Sequence, residues 1–318
     1  MTFTGPKDRP MAGPGGALRL PSPLQSWLET VARTHLEAPG LPAVDFIRPE
    51  GEPALALPDS ISWQVFRNPV ALVVGGITAV ILELAEPRVR AGVWNHTTFR
   101  SDPLTRLRRT GLAAMVTVYG ARSTAERMIA GVRSRHEGVR GETPSGQPYR
   151  ASDPELLRWV QATAAFGFLE AYRAYMRPLS REERDRFYAE GMPAARLYGA
   201  EGLPTSEAGI LALFETTFGS LEASETIFEF LAIMRRMPLM PALLRPAQGL
   251  LVRAAVEIVP EPARRRLGLG RRERLQPWER AILSAAARAA DRLMLQSSPA
   301  VQACLRLGLP ADYLYRRR

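Results

Sequence analysis

Three side chains have the types and spacing to serve a metal cofactor together: Arg106, Thr110 and His136. Arg106 and Thr110 are four residues apart, so on a helix they share one face. A tight turn is expected at Tyr119-Gly120-Ala121. If the chain folds about residue 121 into an antiparallel helix pair, Arg106 lies fifteen residues before the turn and His136 fifteen after it. At the standard rise per residue the two come out at similar height. An imidazole, a guanidinium and a hydroxyl at one site suit a haem: histidine for iron, arginine for a propionate, threonine for a propionate or a bound oxygen species. Spacing alone leaves simpler readings open. A histidine near a helix C-terminus is favoured by the helix dipole, and Arg at i with Thr at i+4 recurs in many helices.

The remaining residue inventory excludes several chemistries. The histidines, His35, His96 and His136, are too scattered for a HExxH zinc site. Cys304 is the only cysteine, so there is no internal disulfide and no CxxC pair for zinc or an iron–sulfur cluster; as a thiolate ligand it lies far from the other candidates. Lys7 is the only lysine and lies near the N-terminus, which argues against Schiff-base and P-loop mechanisms. No GxSxG elbow is present, and LGLGRR at 267–272 has neither the third glycine nor the preceding strand of a dinucleotide fingerprint. His35 is read as uninvolved, on an amphipathic N-terminal helix. His96 is read as structural in preference to a distal role, Tyr149 and Trp159 as packing residues, and Asp153 as an N-cap.

Helices must position these groups, because strand-like alternation is nearly absent. Ser22, Asn68-Pro69, Asp102-Pro103 and Asp153-Pro154 are helix starts with a capping side chain, and in the last three proline takes the first helical position. Ser123 with Glu126 and Ser180 with Glu183 have capping-box spacing. Further helices are expected around 206–217, 222–236, 240–258, 275–295 and 299–307. Ten or so helices with short links predict an all-α fold, organised as a flexible arm over 1–20 and one domain over 21–318. The stretch PVALVVGGITAVIL at 69–82 has no charge before Glu83. It is shorter than the roughly 20 residues of a membrane span, so it reads as a buried central helix. Gly75-Gly76 would let another helix or a flat ligand approach the backbone closely. The Ala-rich helix near 278–295 could pack on the protein's own core or on another subunit.

Composition is that of a globular protein, with 46% hydrophobic and 23% charged residues. The formal net charge is +10, concentrated towards the end: from Pro260 onward thirteen arginines face five acidic residues. That charge suits either a solvated helix face or an anionic surface, which leaves peripheral membrane contact open. Aromatic–basic interleaving and DNA-binding modules are lacking, so no specific nucleic-acid partner is expected. The first residues lack the apolar core of a secretory signal, and a cytoplasmic location is expected.

Several segments, in order and spacing, resemble the family of the bacterial latex clearing protein (a rubber oxygenase) and the fungal MpaB oxygenase. They are NPVALVVGG at 68–76, LELAEPRVRAGVWNHTTFRSDPLTRLRRT at 82–110, VYGARSTAERMIAGVRSRHEGVRG at 118–141, GQPYRASDPELLRWV at 146–160 and LSREERDRFYAE at 179–190. The resemblance covers about 63–199. It implies a globin-like three-over-three core, haem b as cofactor, His136 as proximal iron ligand, and Arg106 and Thr110 beside the haem. Where latex-clearing members have a lysine just before that threonine, this chain has Arg109. A guanidinium stays protonated and is a very poor iron ligand. Glu86, in AEP, is a candidate for the family's distal base where many relatives have histidine, and Gln161 stands where histidine more often follows Trp-Val.

The resemblance thus implies a haem-dependent oxygenase that uses dioxygen on an apolar, isoprenoid-like small molecule. Arg109 and Glu86 would be catalytic, and His136, Arg106 and Thr110 would bind the cofactor. Two alternatives stand beside it: a non-catalytic haem- or lipid-binding helical module, and an Arg-rich nucleic-acid binder. Oligomeric state is not legible.

Overall fold

A computed structural model describes residues 16–18, 20–36, 40, 43–241 and 245–316. Its helices, in chain order, are α1 Ser22–Leu36, α2 Ile61–Arg67, α3 Pro69–Ala85, α4 Pro87–His96, α5 Pro103–Tyr119, α6 Arg122–Glu137, α7 Pro154–Tyr175, α8 Arg181–Glu190, α9 Met192–Tyr198, α10 Glu207–Thr217, α11 Glu225–Arg236, α12 Arg245–Ile258, α13 Glu261–Arg266, α14 Pro277–Asp291 and α15 Pro299–Arg306. Between α6 and α7 stands a small antiparallel hairpin, β1 Arg140–Glu142 and β2 Pro148–Arg150, in register Gly141↔Tyr149. The all-α expectation holds, with this hairpin as the one addition among the described residues. The three-over-three arrangement stays an implication of the resemblance.

The Asn-Pro and Asp-Pro starts form as the sequence predicts. Asn68 Oδ1 accepts from the backbone N–H of Val70 (3.1 Å) and Ala71 (3.0 Å), satisfying donors that have no intrahelical partner. Its Nδ2 donates to Ala287 O at 3.0 Å, so one buried side chain starts α3 and ties it to α14. Asp102 caps α5 through Thr105 N, and Asp153 caps α7 through Glu155 N. Ser180 and Glu183 form the predicted capping box. The box predicted at Ser123 does not form. Helix α6 starts two residues earlier, with Ala121 as N-cap, which puts Ser123 inside the first turn. Its N–H and hydroxyl are satisfied instead by the Glu52 carboxylate.

The centre of the fold is the crossing of α3 and α7, made possible by two glycines. A Cβ on Gly167 would lie 2.4 Å from Gly75 O, and one on Gly75 would lie 2.7 Å from Phe168 Cα. Of the two uses open to Gly75 from sequence, close approach of another helix is the one realised. Trp159 Nε1 donates to Leu82 O at 3.2 Å across the same interface. Helix α12 closes the next side: Thr78 Oγ1 donates to Ala255 O at 3.0 Å, and Tyr175 Oη to Ala254 O at 2.9 Å. Helix α14 packs on the protein's own core through Leu283, Ala287 and Asp291, and leaves Trp278 and Ile282 exposed.

Among the described residues no single helix is long and apolar enough to cross a membrane. Helices α2 and α3 together would have the length and composition, but they meet at 96° and are largely buried. The arm expected over 1–20 lies mostly outside the described residues, as does Lys7. Its end docks, with Leu18 N–H donating to Arg292 O at 2.7 Å.

Candidate functional site

Helices α5 and α6 meet at the predicted turn, and the turn is anchored. Tyr119, the last residue of α5, donates its hydroxyl to Trp63 O at 2.6 Å, and the Trp63 indole N–H is shared by Ala56 O and Val118 O at 3.1 Å each. From this fixed end the two helices run back to Arg106, in the first turn of α5, and His136, in the last turn of α6. The hairpin stops α6 directly after His136: Val139 N–H donates to His136 O at 3.0 Å, and Ala151 N–H to Val139 O at 2.9 Å.

Arg106 and His136 come close enough to act on each other electrostatically. Burial holds the His136 imidazole below the ordinary histidine range, and the Arg106 cation adds to the effect. The ring is therefore neutral at pH 7, and its Nδ1 is buried with no hydrogen-bond partner. Arg106 is itself pulled below the usual arginine value by burial, with Glu83 acting against the shift and Arg109 adding to it. Its Nη1 donates to Thr110 Oγ1, and that hydroxyl donates to Arg106 O at 2.9 Å. Arg106 and Thr110 thus share a face, as their spacing predicts.

A third group, not among the sequence candidates, joins them. Burial pushes the Glu83 carboxyl up to about 7, with Arg106 pulling the other way. Glu83, Arg106 and His136 come from the end of α3, the start of α5 and the end of α6. All three are only half-buried by surface area although they lie deep in the protein. Along α3, Val73, Gly76, Val80 and Glu83, at helical spacing, are half-buried, whereas Val74, Ile77, Ile81 and Leu84 are closed off. At Gly76 a Cβ would meet only Phe168 Cε1, at 4.0 Å. Met128, Val132 and His136 form a comparable half-buried row on α6, as do Leu157, Gln161, Ala165 and Phe168 on α7. One neutral imidazole, one cation and one carboxyl of near-neutral pKa thus act on one another, and the helices that carry the imidazole and the carboxyl also carry half-buried apolar side chains.

Among the described residues no three His, Cys, Asp or Glu side chains are grouped to hold a bare metal ion. A metal taken up by His136 would have to bring most of its ligands with it, as the iron of a porphyrin does. The residues present fit such a group: an unpartnered buried imidazole nitrogen, a desolvated guanidinium short of countercharge, and half-buried apolar side chains along α3.

The structure places the other candidates elsewhere. Glu86 is corrected as a free distal base. It is the buried N-cap of α4, with Oε2 accepting from Val89 N at 2.7 Å and Oε1 from Arg88 Nε at 2.8 Å. Arg109 is exposed, and its Nη2 lies 3.1 Å from where a Cβ on Gly40 would sit. His96 Nε2 hydrogen-bonds Tyr149 Oη at 3.0 Å, joining α4 to the hairpin in a structural role. Trp159 and Tyr149 pack, and Cys304 is buried, its thiol pushed up to about 12.

The Glu83 shift has a measurable consequence. A folded-state pKa above the unfolded one means that folding favours the protonated carboxyl, so stability is full below about 4.5 and falls as pH rises towards 7. Glu83→Gln is expected to remove this slope and to stabilise the chain at pH 8 relative to pH 5, by up to about 3 kcal/mol. Thermal denaturation of both proteins across that range measures it, and parallel pH profiles would contradict the burial of Glu83.

Comparison with known proteins gives the family. No curated protein and no solved structure matches the chain. A family described as ER-bound oxygenase mpaB/B'/Rubber oxygenase, catalytic domain, matches residues 63–292. The match spans α2 to α14, so it contains Glu83, Arg106, Thr110 and His136 and extends well past residue 199, where the recognisable motifs end. It covers well over half of the sequence, and the chain belongs to the MpaB/rubber-oxygenase catalytic-domain family.

Proposed function

We propose that the protein is a haem-b-dependent oxygenase that acts with dioxygen on an apolar, isoprenoid-like small molecule and holds the haem iron through His136. One observation carries this reading: the family's oxygenase domain here brings a neutral imidazole with an unpartnered buried nitrogen beside a desolvated arginine.

Bound haem would supply the iron at which dioxygen is activated. The chain's own residues do the rest. His136, uncharged at neutral pH, offers a ring lone pair without first losing a proton. Arg106 offers its charge to a carboxylate of the cofactor, which would relieve its shortage of countercharge. Thr110 accepts from Arg106 and fixes the guanidinium in place. Glu83, with a pKa near 7, can take a proton from substrate at physiological pH, the role first considered for Glu86. Val73, Gly76 and Val80 present an apolar wall that suits a hydrocarbon chain and excludes water. Arg109 stands where latex-clearing members have a lysine, and a guanidinium would be a very poor ligand to the iron.

Haem-supplemented protein is expected to consume dioxygen when given a short terpenoid alkene and to release an oxygenated product. Glu83→Gln is expected to slow that turnover at least tenfold while leaving haem content unchanged. Stable alkene binding with no oxygen uptake would overturn the enzymatic reading in favour of a binding module.

A further inference from the structure

A cleft lies away from His136, where the C-terminal half of α7 meets the end of α12, α13 and the start of α14. It has two adjoining compartments that share Glu170, Arg173 and Ile258 on their walls. One, of about 290 Å³, is walled by Arg173, Arg264, Arg274 and Arg280 together with Glu170, Glu257 and Glu261. The other, of about 260 Å³, is walled largely by Phe166, Tyr188, Leu211 and Pro260, with Glu207 at its side.

The charges in the first compartment are not fully matched. Arg173 is paired with Glu170, its Nε 2.9 Å from Oε1. Arg274 forms a two-pronged pair with Glu257, at 2.6 and 2.9 Å. Glu261 is engaged by Arg265 at 3.7 Å, outside the compartment wall. That leaves two guanidinium groups, Arg264 and the exposed Arg280, with no carboxylate at ion-pair distance among the described residues, although Glu257 acts on both electrostatically. Arg264 Nη1 donates to the backbone carbonyls of Glu257 and Val259, at 2.9 and 3.1 Å; burial and the neighbouring Arg274 cation push Arg264 below the usual arginine value, with the Glu257 and Glu261 carboxylates pulling the other way. Arg280 lies over the Tyr175 ring at 5.7 Å. Two like charges on the wall of one compartment, neither in an ion pair, are stabilised by an incoming anion. The adjoining apolar compartment would be empty beside a bare ion, and an alkyl chain attached to that ion would fill it.

We infer that this cleft binds an amphiphilic anion, a phosphate or carboxylate headgroup held by Arg264 and Arg280 with its hydrocarbon chain lying between Phe166, Leu211 and Pro260. The site shares no residue with the His136 group, so it is a second binding site and not an extension of the first. Octyl phosphate and octanoate share the required chemistry, and titration calorimetry with each shows which headgroup is preferred.

At least one of the two is expected to bind with one-to-one stoichiometry and at least tenfold more tightly than octanol or inorganic phosphate. The double variant Arg264→Gln/Arg280→Gln should lose that tenfold gain, and Leu211→Ser should weaken octyl ligands while leaving inorganic phosphate unchanged. His136→Ala should bind as the wild type does. Equal affinity for octanol, equal affinity for inorganic phosphate, full retention in the double variant with an unchanged melting temperature, or loss of binding in His136→Ala would each overturn the assignment. Should the double variant fail to fold, the Leu211→Ser comparison decides alone.

Discussion

His136→Ala is expected to lose haem, with affinity at least a hundredfold below that of the wild type and no Soret band surviving gel filtration. The size of the effect follows from the surroundings. Among the described residues no three His, Cys, Asp or Glu side chains are grouped to take over the metal. The half-buried row Met128, Val132, His136 offers the cofactor apolar contact, and the imidazole is the coordinating group within it. The variant itself should fold, because the imidazole makes no hydrogen bond that the fold depends on: its Nδ1 is unpartnered, and the hairpin that follows bonds to the backbone carbonyl of residue 136. Removing a buried polar group with no partner is close to neutral for stability. A loss of haem together with an unchanged melting temperature of the apoprotein is therefore the expected pair of results. Retention of haem would move the ligand to another residue.

Gly167→Ala has the largest expected effect on the fold. The new Cβ would stand 2.4 Å from Gly75 O and 3.2 Å from Ala79 N, both backbone atoms of α3 that no side-chain rotation can move. The helices must separate along their crossing, which loosens Trp159 from Leu82 and the contacts of Phe168. Overpacking costs typically 1–3 kcal/mol, and here, with backbone on both sides, about 3 kcal/mol or more is expected, a fall in melting temperature on the order of 10 °C. Gly131→Ala serves as the contrast. It is also helical, but a Cβ there would meet nothing within 4 Å, so it should gain about 0.5–1 kcal/mol from helix propensity. Thermal denaturation of the two variants side by side tests the crossing, and an unchanged Gly167→Ala melting temperature would contradict it.

How far the sequence could be read depended on whether the determining contacts were local. Asn68-Pro69, Asp102-Pro103 and Asp153-Pro154 were legible because cap and first turn lie within four residues of each other. So was the pairing of Arg106 with His136, since the turn at Tyr119-Gly120-Ala121 and the helical rise fix it. Ser123 misled because the group that satisfies its backbone is Glu52, far away in the chain. Glu86 is followed by Pro87, the same acid-proline signature as at Asp102 and Asp153, so its capping role was locally visible. The part of Glu83 was not. Its position on the half-buried row depends on which face of α3 is covered by α7, and that is set by the contact of Gly75 with Gly167, ninety-two residues apart. The only local sign was a lone charge closing a long apolar run. The hairpin after α6 escaped for a similar reason, its strands being three residues each and without alternation.

The central claim is that this helical fold takes up one haem through one imidazole. The absorption spectrum of the wild-type protein, purified after haem supplementation and read together with its iron content, tests that claim most directly. One equivalent of iron per chain with a Soret band that shifts on reduction is the predicted result, and a protein that emerges colourless and free of iron would contradict it.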